Sequence, residues 1–374
     1  MIAISKLTIA GYKSIRDLRE FELRDLNVLI GANGSGKSNF IGFFRMLAEI
    51  YGQRLQAYVQ KQGGPDALLH YGRKRTSRIE GLLSFGQHAG PYFFELEPTA
   101  DNRLIFDTEL VGLGVDPGPG HRGASESWIP DAGKMFDTWR EAGRGIDPGT
   151  QERLLAMLPP IDRLRVYHFH DTSESALVKQ VHATNDNLRL KSDASNLAPF
   201  LRMLREHHNG YYRAIVDSIR LVAPFFDDFV YREGNPATVE LEWTEKGDPD
   251  TPFKAHVLSD GTLRFICLAT LLQQPAELMP PVVLLDEPEL GLHPFAINVL
   301  ADLFKLAAEQ TQLIVATQSA PLLSCLEPED VIVVDRKDNA STFRRLSEAE
   351  LHTWLNDYSP GELWEMNVLG GRPA

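Results

Sequence analysis

The chain has 374 residues, 43% of them hydrophobic and 24% charged, which is enough for one large globular domain or two modest ones. A formal net charge of −13 argues against a general nucleic-acid coat, and the lack of any run of about 18 apolar residues argues against a membrane span. Cys267 and Cys325, the two cysteines, both sit in apolar stretches, make no disulfide framework and point to a reducing cytoplasm.

Residues 1–50 read as strand, turn, strand, glycine loop and helix. The opening MIAISKLTIAGYKSI lacks the basic start, long apolar stretch and small-residue cleavage site of a signal peptide, and its alternation reads as a first strand. Residues 26–30 form a short apolar strand, residues 31–38 follow at once, and residues 39–50 carry helical apolar spacing. Runs at 78–85, 92–96 and 103–110, separated by Gly, Pro and Asn, predict an antiparallel meander. Residues 111–150 are rich in Gly, Pro, Asp and Ser and are expected to be a long loop or insertion, not a packed element. Residues 151–160 look helical up to a double proline, and 164–170 alternate like a strand. Two helices are expected within 193–222 and two strands within 225–258. From 261 to 335 helix and strand alternate, with strands at 282–285, 312–316 and 331–334. Such short, wholly apolar strands mark a buried parallel sheet and an α/β fold.

Gly31-Ala-Asn33-Gly34-Ser35-Gly36-Lys37-Ser38 fits the P-loop pattern in full, with the required strand before it and helix after it. Its glycines let successive N–H groups point at phosphate oxygens, and the helix start adds partial positive charge. Residues 33–39, ending at Asn39, are the expected ATP cradle. Lys37 faces the β- and γ-phosphates, and Ser38 is a ligand for Mg²⁺. Val282-Val-Leu-Leu-Asp286-Glu287 places two carboxylates at the end of a buried strand, where ligands of parallel sheets sit. Asp286 is placed to hold Mg²⁺ and Glu287 to orient or deprotonate the attacking water.

Leu258-Ser259-Asp260-Gly261-Thr262 opens an apolar helix and resembles the LSGGQ signature of ABC-type ATPases, 27 residues before Asp286. Asp260 and Thr262 depart from that motif. Read without the resemblance, Ser-Asp is a helix N-cap. Thr317-Gln318-Ser319 follows the next strand, as the switch residue of that superfamily does. The residue there is usually His, and Gln318 can donate a hydrogen bond but does not titrate. His293 is open between a contact to a partner subunit and a simple helix start before Pro294.

Lys13-Ser14, the P-loop, LSDGT, LLDEPELGLHP and ATQS together resemble the predicted AAA-type ATPases of bacteria, relatives of the RecF, SMC, Rad50 and OLD heads. The resemblance implies an ABC-type head with a mixed central sheet, an antiparallel β-lobe and a helical lobe. It also implies a homodimer closed around ATP, in which Ser259 and Gly261 of one chain meet Lys37, Ser38, Asp286 and Glu287 of the other. Tyr12 and Lys13 are expected to flank the nucleotide. The expected division of the single head, 1–374, is an N-terminal lobe (1–110), a loop-rich insertion (111–160), a helical/β lobe (161–257) and a part with signature and Walker B (258–374). DNA and a separately encoded effector protein are the implied partners. OLD proteins carry a further nuclease domain, for which the 40 residues after Val334 are too few.

Three other classes fit the sequence less well. A transporter subunit fits the DEPELGLHP ending and the large lobe poorly, and a monomeric kinase or GTPase leaves the signature without a task. A nuclease centre would use His168 and His170, with Asp171 beside them, or His207 and His208; packing and hydrogen bonding account for these histidines as well. Arg73, Lys74, Arg75 and Arg78 form a basic cluster, read as a solvated loop in preference to a phosphate-contacting patch.

Overall fold

The structure, a computed structural model, describes residues 3–86, 91–111, 122–131, 164–232 and 237–371. Among these, six strands form the central sheet. β7 (Arg165–Tyr167), β13 (Val282–Asp286), β14 (Gln312–Thr317), β3 (Leu26–Ile30) and β15 (Val331–Lys337) lie side by side and parallel, and β16 (Ala340–Arg345) closes one edge antiparallel. Both faces are covered, so the inner strands β3, β13 and β14 are mostly apolar, with Asn27, Asp286, Gln312 and Thr317 the polar exceptions. Successive residues still point opposite ways. Val282 and Leu284 enter one core, and Val283 and Leu285 enter the other.

The first core lies between the central sheet, α1 (Lys37–Tyr51) and an antiparallel sheet. That sheet has the order β2 (Ile15–Glu22), β1 (Ile4–Tyr12), β4 (Ile79–Phe85), β5 (Tyr92–Pro98), β6 (Leu104–Val111). Phe40, Phe43 and Phe44 of α1 are fully buried in it. α2 (Leu55–Lys61) and α3 (Pro65–Leu68) lead from α1 back to β4. The Gln312 side chain ties the two sheets together. Its Oε1 accepts from Ile4 N (3.0 Å), and its Nε2 donates to Ile4 O (2.9 Å) and Arg24 O (3.0 Å).

The second core packs α4 (Leu197–His207), α5 (Asn209–Val222), α6 (Asp260–Leu272) and α7 (Pro294–Ala308) on the opposite face. A small sheet of β9 (Phe226–Val230), β11 (Glu242–Glu245) and β12 (Asp248–Lys254) joins them, with Trp243 stacked on Phe226 at 5.8 Å between ring centroids. β8 (His182–Ala183) pairs with β10 (Thr238–Val239), and α8 (Ala320–Leu323), α9 (Glu348–Leu355) and α10 (Pro360–Glu365) lie toward the end of the chain. The expected α/β architecture, with its mixed sheet, antiparallel lobe and helical lobe, is present.

Two expectations need correction. The strand expected over 164–170 stops at Tyr167. His168 N donates to Ser192 O, and the carbonyls of Phe169 and His170 accept from the Arg264 side chain, so the chain leaves the sheet there. Within the expected unpacked loop at 111–150, the described stretch 122–131 is packed. Trp128 and Ile129 are buried, and Glu126 accepts from the N–H groups of Leu55 and Gln56 at the start of α2. The rest of that loop and the helix expected at 151–160 lie outside the described residues. No helix among the described residues is long and apolar enough to cross a membrane.

Candidate nucleotide site

β3 delivers the chain into the loop at residues 31–38, and α1 starts at Lys37. Gly36 has φ +122°, and a Cβ there would collide with the Ser341 hydroxyl, so only glycine fits. Ser341 Oγ donates to Ser35 O (2.5 Å) and shares a hydrogen bond with Ser14 Oγ (2.7 Å), and Asn39 Nδ2 donates to the same Ser14 Oγ (2.7 Å). The turn after β1 and the start of β16 therefore brace the loop from outside. Lys37 Nζ donates to Gly31 O (2.6 Å) and Ala32 O (3.1 Å). Burial lowers the Lys37 pKa from its usual value, against the pull of Glu287, Asp286 and Glu289. Asn33, Gly34 and Ser38 are exposed. The buried Ser35 hydroxyl has no hydrogen-bond partner among the described residues.

β13 and β14 end beside β3, which brings the carboxylates to this loop. Burial and the neighbouring Glu287 raise the Asp286 pKa, and His170, Arg45 and Lys37 pull it back. Glu287 takes the left-handed backbone (φ +46°), a strained choice for a residue with a Cβ. Its Oε1 accepts from Gln318 Nε2 at 2.5 Å. Glu289 Oε1 accepts from Thr317 Oγ1 (2.5 Å) and Gln318 N (3.3 Å). The expected pair Glu287 and Gln318 is thus joined directly.

Ser259 caps α6, accepting from Thr262 N at 3.2 Å, and is exposed. Among the described residues neither Ser259 nor Gly261 hydrogen-bonds to the P-loop or to the carboxylates. His293 Nδ1 accepts from Phe295 N at 3.3 Å, so in this chain it is the N-cap of α7. Tyr12 does not flank the loop, because it is fully buried with its hydroxyl 3.3 Å from that of Tyr58. Lys13 Nζ donates to Gln62 Oε1 at 3.0 Å.

A family model described as "AAA domain, putative AbiEii toxin, Type IV TA system" matches residues 26–324. The chain belongs to that family. The Old nuclease of Escherichia phage P2 is 23% identical over 390 residues, covering 96% of this chain. The chain spans 64% of that nuclease's length. A solved SMC head bound to the C-winged helix domain of ScpA aligns with a TM-score of 0.61 at 17% identity, over 93% of this chain and 99% of that one. An SMC head with an extended coiled coil from Pyrococcus furiosus, bound to the C-terminal domain of ScpA, gives 0.57 at 17%, over 96% and 99%. The fold is that of an ABC-type, SMC-like ATPase head.

The ATPase head also places beside this site two arginines that lie outside the motifs. Arg264, on α6 just after the signature, donates to three carbonyls: Phe169 O (2.9 Å), His170 O (3.2 Å) and Leu290 O. One guanidinium thus clasps the signature helix, the loop after β7 and the loop after Glu287. Its signal is a lone cation one turn into an otherwise largely apolar helix. Arg45, two turns along α1, donates to His168 Nε2, so that nitrogen carries no proton. Burial, then Arg45 and His170, lower the His168 pKa to about 4. The rings of His168 and His170 lie 5.8 Å apart, and His208 pairs with Glu277 at 3.7 Å. No group of three or more His, Cys, Asp or Glu suited to a metal occurs among the described residues. In the basic cluster, Arg73 bonds Asp66 and Thr99 O, and Arg78 pairs with Glu95, which leaves Lys74 and Arg75 at the surface.

Proposed function

We propose that this chain binds ATP with Mg²⁺, hydrolyses it, and forms a homodimer around it as a switch. The observation that carries the reading is the Gln318–Glu287 bond at the ends of two adjacent parallel strands beside the P-loop. Exposed Ser259 and the half-buried Gly261 beside it, with no bond to their own P-loop among the described residues, suit a partner's nucleotide.

ATP and Mg²⁺ suit the residues present. The Ser35 hydroxyl is buried without a partner among the described residues, Gly34 at the loop's tip has open space where a Cβ would stand, and Asp286 is a half-buried carboxylate crowded by Glu287. The N–H groups of residues 33–39 bind the phosphates, and Lys37 adds a point charge. Ser38 and Asp286 hold the metal, which supplies charge neutralisation to the phosphates when bound. Glu287 orients the attacking water and accepts its proton, and Gln318 fixes that carboxylate and reads the γ-phosphate. Residues 1–374 are read as one head with the lobes divided at 110, 160 and 257.

The likeness to the Old nuclease supports a cytoplasmic role in DNA repair or maintenance, or in antiphage defence, with DNA or a separately encoded effector as partner. The same likeness favours a second reading, an ATPase associated with a nuclease. Copurification of nuclease activity lost on high-salt washing separates that reading from a nuclease within the chain.

The test is mass by multi-angle light scattering on Glu287→Gln, with and without Mg-ATP, beside phosphate release by the unaltered chain. A monomer that becomes a dimer only with ATP, and phosphate release that Glu287→Gln abolishes, are expected. A mass indifferent to ATP removes the shared site.

A further inference from the structure

The P-loop accounts for the triphosphate and leaves the nucleoside without a partner. Tyr12, beside the turn after β1, is unavailable because it is buried. The exposed aromatic closest in the bonding network is Tyr71, in the loop between α3 and β4, with 48% of its surface accessible. We propose that the Tyr71 ring, with Arg75 and Arg336, stacks on the base of the bound nucleotide; this rests on the P-loop reading above.

Three features support that assignment. The ring is attached to the phosphate loop, because Arg336 at the end of β15 reaches Gly34 O with Nη1 (3.5 Å) and the Tyr71 hydroxyl with Nη2 (3.4 Å). One guanidinium therefore spans from the P-loop to the ring. The ring is also held although it is exposed. Its hydroxyl donates to Asn339 O (3.4 Å) in the turn between β15 and β16, and the His70 ring meets it edge-on at 4.7 Å. His70 is itself fixed, with its N donating to Gly11 O (2.9 Å) and its Nδ1 to Lys13 O (2.6 Å). Finally, Tyr71 has φ +59°, a conformation uncommon for a residue with a bulky side chain and one that collects at functional sites.

The chemistry fits a nucleobase. The Arg75 guanidinium lies over one face of the ring, 5.4 Å from its centre, so the pair offers a planar cation on one side and an aromatic plane behind it. Bases stack on both kinds of plane, and the stacking tolerates any base because each has a π-face. Arg73, next in the loop, is occupied by Asp66 and Thr99 O and adds nothing here.

The experiment compares ATP with inorganic tripolyphosphate, which carries the phosphates and no base, by calorimetry on the full chain. Tyr71→Asn removes the ring with a residue that accepts the left-handed backbone. Tyr71→Phe keeps the ring. Tyr71→Asn is expected to weaken ATP about ten-fold or more, on the usual scale of base stacking, and to leave tripolyphosphate within about two-fold. Tyr71→Phe is expected to match the unaltered chain for both ligands. An unchanged ATP affinity in Tyr71→Asn, or an equal loss for both ligands, overturns the proposal. Lys37→Ala should lose both ligands. An unaltered chain that binds neither would instead remove the P-loop reading on which the proposal stands.

Discussion

Gly261 packs so closely on Gly291 that a Cβ on it would run into the Gly291 carbonyl oxygen. The signature turn and the loop after Walker B are therefore in backbone contact within one chain. Gly261→Ala should force them apart and cost about 1–3 kcal/mol, the usual penalty for overpacking. ATP-driven dimerisation should be lost while ATP affinity stays within a few-fold. Urea unfolding and light scattering read the two effects, and a variant of ordinary stability that still dimerises would contradict both.

Arg264 serves three carbonyls, those of Phe169, His170 and Leu290. Arg264→Lys keeps the charge but not the planar fork, so at most one or two of those bonds survive. A loss of about 1–3 kcal/mol in unfolding free energy is expected if the buried Phe169 carbonyl is left without its donor. Phosphate release should slow at least ten-fold, because the loops on either side of Asp286 lose their common anchor. Wild-type stability in Arg264→Lys would show that water replaces the missing donors.

Gln318 holds the Glu287 carboxylate by a neutral amide. Gln318→Glu would set a second negative charge against it and remove the donor. Phosphate release should fall by about 10²-fold, the scale of a misplaced general base, with ATP affinity little changed. Steady-state kinetics beside equilibrium binding checks this. A parallel fall in affinity would show that Gln318 acts mainly in binding.

Glu109 gives a pH signature away from the nucleotide. Burial raises its pKa to about 7 despite hydrogen bonds from Tyr92, Ser127 and Trp128 N. Unfolded, it titrates near the ordinary carboxylate value of about 4.3. Between those values the folded chain holds the extra proton, so this contribution is full below about pH 4.3 and lost as pH rises through about 7. Glu109→Gln lacks this titration. Its stability relative to the unaltered chain should improve by about 3 kcal/mol from pH 4 to pH 8. A constant difference across that range would refute the buried assignment.

The sequence made the central sheet and the phosphate loop easy to see, because both are local patterns. A short strand of mostly apolar residues before a glycine loop, or four apolar residues before two carboxylates, means the same thing wherever it occurs. What stayed hidden depends on partners far along the chain. Alternation ran past Tyr167 into His170, and only the distant Arg264 shows why the strand stops. The Gly-rich stretch around Trp128 read as solvent, yet Glu109 and the start of α2 give it bonds. Tyr12 looked available beside a lysine, and only the three-dimensional packing puts it in the core.

The bracing of the P-loop has a consequence for synthesis. Ser35 in this loop is made 306 residues before its partner Ser341. The loop's shape depends on Ser341, against the glycine turn, and on Gly371, whose carbonyl accepts from Ala32 N at 2.8 Å. A nascent chain on the ribosome therefore holds an unfinished loop until those last contacts emerge. Nucleotide capture becomes a late event, coupled to completion of the head and not to the appearance of the motif.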